Sequence, residues 1–82
     1  MSTSTPNYAA LNAEQRRFID ALIRAGNHSA IERVARDAGI SVDEAQKVID
    51  SLPPPWVRTY QLNDYPRMIA LTFAGRKALG NV

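Results

Sequence analysis

At 82 residues, with a formal net charge of +2 and no cysteine, the chain has room for one domain with a single modest core, and disulfide frameworks and thiolate metal sites are excluded. Ten basic side chains against eight acidic ones bias composition only slightly toward a polyanionic partner, so the placement of charge has to decide. No apolar run approaches membrane-spanning length, and residues 1–10, MSTSTPNYAA, lack the basic start and apolar stretch of a secretory signal. A loose polar tail on a soluble, cytoplasmic domain spanning residues 11–80 is expected.

The first predicted helix starts at Asn12, whose side chain can cap while Gln15 reaches back, and stops at Gly26. Phe18, Ile19, Leu22 and Ile23 form its apolar stripe. Asp20 stands four residues from both Arg16 and Arg24, which reads as a solvated, mutually paired face; a phosphate contact from Arg16 or Arg17 is the alternative. His28 follows in a Gly-Asn-His-Ser turn, and without a second His or any Cys it reads as a loop residue rather than a metal ligand.

Ser29 and Glu32 have the spacing of a capping box for the second helix, which buries Ile31, Val34, Ala35 and Ala38. Arg33 and Arg36 are left outside, either to contact phosphates or to pair with Glu32 and Asp37. Ser41 and Glu44 repeat the capping-box spacing for the third helix, which runs to about Leu52 before Pro53, Pro54 and Pro55 end it. Its apolar side is Val42, Ala45, Val48, Ile49 and Leu52. The opposite side centres on Asp43 and Asp50, flanked by Gln46 and Lys47. Carboxylates there repel nearby phosphates unless each accepts a hydrogen bond, for instance from cytosine N4. Asp43 sits in the first turn, where the helix dipole favours an anion and Lys47 is within reach; Asp50 has no such partner in the sequence.

WVRTYQL and RMIALT, separated by Asn63, Asp64, Tyr65 and Pro66, have the β-branched and aromatic content of a two-stranded hairpin. Thr72 can cap a short last helix over residues 73–79 before Gly80. Trp56, Tyr60, Ile69, Leu71, Phe73 and Leu79 are expected to close the core, because a domain this small needs its rings for burial; stacking of single-stranded bases on them is the alternative use. The fold class expected is therefore mainly α with a small β-hairpin: a three-helix core, a two-stranded wing and a short C-terminal helix.

Residues 31–50, IERVARDAGISVDEAQKVID, also carry the pattern of a helix-turn-helix: Val34, Ala38, Ile40, Ala45 and Val48 where crossing helices bury apolar groups, Ala35 where they touch, and Gly39 where the turn needs positive φ. From Leu11 to Leu79 the chain resembles the DNA-binding part of MarR-type and related winged-helix regulators. The most specific likeness is WVRTYQLNDYPRMIALTFAGRKAL. Here Trp56, Val57 and Arg58 resemble the family's first wing strand, Asp64 and Arg67 its wing tip, and Leu71, Thr72 and Gly75 its LT-x-x-G return. The resemblance implies a minor-groove role for Arg67. The chain departs from the family in a shorter wing and in lacking the long flanking helices used for dimerisation and ligand binding, so no ligand sensing and no cofactor are expected. Residues 11–41 are also similar, in more generic features, to the opening of phage terminase small subunits.

These readings converge on a small DNA-binding protein, a transcriptional regulator of prokaryotic or phage type, with the helix over 41–52 in the major groove of double-stranded DNA. The candidate contacts are Arg33, Arg36, Ser41, Gln46, Lys47, Arg58 and Arg67, with Gln46 able to bond adenine in two places. The alternative is a winged-helix protein-interaction module using the acidic side of that helix, or wing apolars such as Val57 and Met68. A homodimer through the first helix and residues 73–79 is a further expectation. Enzyme function is not expected: there is no Gly-rich phosphate loop and no triad that the lone His28 completes.

Overall fold

The computed structural model describes residues 7–53 and 56–80. Among the described residues, seven α-helices and β-strands follow one another: α1 (Ala13–Arg24), β1 (His28–Ala30), α2 (Ile31–Ala38), α3 (Val42–Ser51), β2 (Val57–Tyr60), β3 (Met68–Leu71) and α4 (Phe73–Ala78). They make a mixed α/β domain of four α-helices and one three-stranded antiparallel sheet ordered β1-β3-β2. Among the described residues no helix is long and apolar enough to cross a membrane.

Local chemistry sets most of the boundaries. The Asn12 side chain accepts from the Gln15 amide at 2.8 Å, and Gln15 Oε1 accepts from the Asn12 amide at 2.8 Å, so two of the donors that open α1 are satisfied reciprocally. Ser41 and Glu44 do the same for α3. Between α2 and α3, Gly39 takes the left-handed conformation (φ 76°), its amide donating to Arg36 while the Ile40 amide donates to Ala35. A side chain at Gly39 would meet open space, so backbone conformation rather than room favours glycine there. The helix end at Ser51 and the cap at Leu52 precede Pro53; Pro54 and Pro55, expected to help stop α3, lie outside the described residues.

The sheet has one more strand than expected. Ser29 does not cap α2: it is buried in β1 opposite Ile69, and α2 begins after Ala30 with no side-chain cap. The first helical amide, Ile31, donates instead to the Arg67 carbonyl at 3.0 Å, so the β1–β3 ladder runs directly into the helix. An N-cap residue and a strand residue share extended backbone angles, and here tertiary pairing decides between them. His28, expected in a loop, is therefore a strand residue opposite Ala70.

Strand alternation sorts the sheet into two faces. Ser29, Thr59 and Ile69 share the face that packs on the helices, together with Val57 and Leu71. His28, Ala70 and Arg58, and Ala30, Met68 and Tyr60, lie across the other. The core joins Trp56, Phe18, Ile19, Leu22, Ile69 and Val34, all fully buried. Two expected core rings are not in it. Phe73 is 65% exposed at the first position of α4, because the Thr72 side chain accepts from the Gly75 amide and so directs Gly75, not Phe73, toward Trp56. Tyr60 is only half-buried, on the outer face of the sheet.

The N-terminal stretch is less loose than its composition implied. Residues Tyr8–Ala10 form a 3-10 turn, and Tyr8 Oη donates to the Asp20 carboxylate at 3.0 Å. Asp20 is thus held by a phenol. Desolvation and that bond to a carboxylate raise the Tyr8 pKa above its ordinary value of 10.0. Residues 1–6 of the expected tail lie outside the described residues.

Gly75 is the tightest of the four glycines: a Cβ there would lie 2.7 Å from the Trp56 carbonyl oxygen and 3.3 Å from the Trp56 ring. Gly75→Ala is expected to cost about 1–3 kcal/mol through overpacking, lowering the thermal midpoint by at least about 4 °C. A melting curve unchanged from the parent protein would show that α4 does not press on Trp56.

Candidate nucleic-acid interface

The surface of interest lies where α3 meets the turn end of the β2–β3 hairpin, at Arg67. Burial of Ala45 and Val48 against the other helices turns Asp43, Lys47 and Asp50 outward, all three exposed. Gln46 flanks that row on the hairpin side. Arg67 Nη1 donates to Gln46 Oε1 at 2.8 Å, and Gln46 Nε2 donates to Asp50 Oδ1 at 3.0 Å. The chemistry fixes the amide's orientation, because a guanidinium only donates and an ionised carboxylate only accepts. Asp50 thereby gains the partner that its sequence context did not supply, and a hairpin cation is relayed to a helix carboxylate through one amide.

A cleft of about 280 Å³ opens beside this chain, lined by Ile31, Glu32, Val42, Gln46, Pro66 and Arg67. It sits at the start of α2, where no side chain caps the helix. Val42, expected on the buried side of α3, is 47% exposed at this cleft. Arg33 and Arg36 are exposed on the outer side of α2.

The candidate residues do not all converge. Gln46 and Arg67 touch. Lys47 lines a separate cleft with Asn12, Glu14, Glu44, Val48 and Ser51, on the flank of α3 that faces the start of α1. Ser41 is occupied as the α3 cap. Arg58 lies on the outer face of the sheet, its guanidinium carbon 5.9 Å from the centre of the Tyr60 ring. Among the contacts that sequence reasoning passed over, two differ in kind. Gln46 with Asp50 was legible as an (i, i+4) helix pair. His28 with Tyr60, hydrogen-bonded across β3, was not, since 32 residues separate them.

Electrostatically, α3 is mixed. Asp43 and Glu44 occupy its first turn, where the helix dipole favours them, and Asp50 lies at the other end. Hydrogen bonds from the Ser41 backbone and side chain, with a smaller contribution from Lys47, hold the Glu44 carboxyl below its ordinary pKa.

Compared with protein-family models, with curated proteins and with solved structures, the chain matches none.

The lowered Glu44 pKa has a definite sign. The capping contribution is fully present above the ordinary glutamate value of 4.5 and is lost as pH falls through the lower folded-state value. Glu44→Gln, which keeps a capping acceptor but cannot ionise, is expected to flatten the stability-against-pH curve on the acid side of 4.5. Parallel curves for the two proteins in denaturant titrations across that range would show that the ionised carboxylate adds nothing to the cap.

Proposed function

We propose that this domain is a winged helix-turn-helix that binds double-stranded DNA, acting as a small regulator of prokaryotic or phage type. In this reading α3 enters the major groove and the hairpin serves as the wing on the adjacent backbone or minor groove. The observation that carries the reading is the Arg67–Gln46 contact. It puts the hairpin's guanidinium beside the outward side of α3, where one docking event engages both. The succession α1, β1, α2, α3, β2, β3 and the left-handed elbow at Gly39 support it.

Under this reading the roles divide among the exposed side chains. Arg33 and Arg36 on α2, with Lys47 on α3, neutralise phosphates along the backbone and set register. Arg67 exchanges Gln46 for a phosphate or the minor-groove edge, and Gln46, released from both partners, is free to bond adenine in two places. Arg58 takes no part in this surface, because it faces away from the helices. Asp43 and Asp50 repel the duplex and weaken binding to unselected sequences.

The test is the salt dependence of binding to labelled duplex. Four neutralised phosphates give a slope of log K against log salt of about −3.6, roughly a hundredfold loss of affinity between about 50 and 200 mM. Arg67→Ala should bring the slope to about −2.7. Asp43→Asn combined with Asp50→Asn should tighten binding and reduce selectivity among sequences. No shift of any duplex at low salt would sink the proposal and leave the acidic side of α3 as a surface for a protein partner.

A further inference from the structure

The outer face of the sheet carries a second, independent surface. His28 on β1 and Tyr60 on β2 flank β3, and His28 Nε2 is hydrogen-bonded to Tyr60 Oη. Their rings are 15° from parallel with centres 5.8 Å apart. Atoms of face-to-face rings are held apart by carbon contacts of about 3.5 Å, so a direct hydrogen bond between nearly parallel rings requires them to lie side by side, close to one plane. Ala70, which stands between His28 and Arg58 in the register, is too small to lift the rings off the sheet. The result is a flat two-ring platform.

The surroundings of this platform select its ligand. Beyond Tyr60 and Met68, the exposed side chains of Leu62 (59%) and Tyr65 (65%) wall a cleft of about 260 Å³. That is room for a planar ring system rather than for a folded element. The strands HSA, VRTY and MIAL contain no carboxylate, and Arg58 stands on the same face beside Tyr60. The nearest acidic residue along the hairpin is Asp64, in the turn. A flat π surface with a cation over its Tyr60 ring and no acid among its strands matches a nucleobase attached to a phosphate.

We propose that this face binds single-stranded DNA, one unpaired base stacking on the His28–Tyr60 platform while Arg58 meets the adjoining phosphate. The site uses the face of the sheet turned away from α3 and does not rest on duplex docking. Each proposal can therefore fail without the other.

Fluorescence anisotropy of labelled oligothymidylate at low salt tests it, with a labelled duplex measured in parallel. Tyr60→Leu keeps apolar bulk but removes the π face and the hydroxyl. It is expected to weaken oligothymidylate binding by about five- to a hundredfold, while duplex affinity stays as in the parent protein. Tyr60→Phe, which keeps the ring, should lose much less. If Tyr60→Leu proves unfolded by circular dichroism, His28→Ala at the exposed edge strand provides the same comparison, with a smaller loss in the same direction. Three results would overturn the proposal: parent protein that does not bind oligothymidylate, a folded variant that binds it as tightly as the parent, or a parent dimer that Tyr60→Leu converts to monomer. The last would mean that a second copy of the chain covers this face. Oligothymidylate binding without duplex binding would uphold this site and remove the α3 proposal alone.

Discussion

The pairing of β1 with β3 is the constraint on which the rest of the structure depends. A two-stranded hairpin is marginal by itself in water, and β2 with β3 would be one. Adding His28–Ala30 places β3 in the centre of the sheet, with partners on both sides. The ladder also extends past its regular register, since the Ile31 amide donates to Arg67 and the Leu71 amide donates to Asn27. Asn27 can serve because it adopts a positive φ of 70° directly after Gly26 at 93°, two left-handed residues that turn the chain out of α1 and into β1. The hairpin is thereby fixed to the α1–α2 connection. Arg67 receives a backbone bond from α2, which fixes its main chain, and its side chain rests on α3 through Gln46.

Both candidate surfaces follow from that register. Along β3, Ile69 and Leu71 turn toward the helices, and Arg67, just before the strand, shares their parity and reaches Gln46. Met68 and Ala70 turn outward beneath the platform of His28 and Tyr60. A slip of one residue would exchange the two sets, sending Arg67 to the outer face and Ile69 into water. Burial of Ile69 in one cluster with Val34, Trp56 and Phe18 makes such a slip costly, so the core fixes where the polar groups stand.

Much of this was legible in the sequence wherever the deciding interaction is local. The capping boxes at Asn12 and Ser41, the left-handed Gly39, the Thr72 cap and the hairpin turn all act within a few residues, and each is where its pattern implies. Ser29 shows where local reasoning stops. Its spacing to Glu32 satisfies a capping box, but a partner strand 40 residues away takes it instead. Phe73 shows the same limit in packing, since size alone marked it for the core while the geometry of the cap gave that place to Gly75. At the candidate site, residue types were readable and their grouping was not. Nothing local reports that Arg67 meets Gln46, 21 residues away, or that Arg58 belongs to the other side of the sheet.

The relay from Arg67 through Gln46 to Asp50 bears on how the proposed duplex docking can tolerate an acidic helix. All the participating groups are near solvent, where a hydrogen bond contributes about 0.5–1.5 kcal/mol net and a helix glutamine–aspartate pair about 0.2–0.5 kcal/mol. These bonds orient the side chains without locking them. A phosphate arriving at Arg67 adds a full charge on the acceptor side of a bond whose donor is already ionised, and it can take two parallel bonds from the guanidinium where the Gln46 carbonyl takes one. The exchange therefore favours the phosphate. In the proposed docking it would leave Asp50 exposed beside the groove, where the carboxylate's repulsion would be relieved only if a base presents a donor, such as cytosine N4. The acidic face of α3, which on charge alone argues against a duplex, becomes under this arrangement a filter on which duplex is accepted.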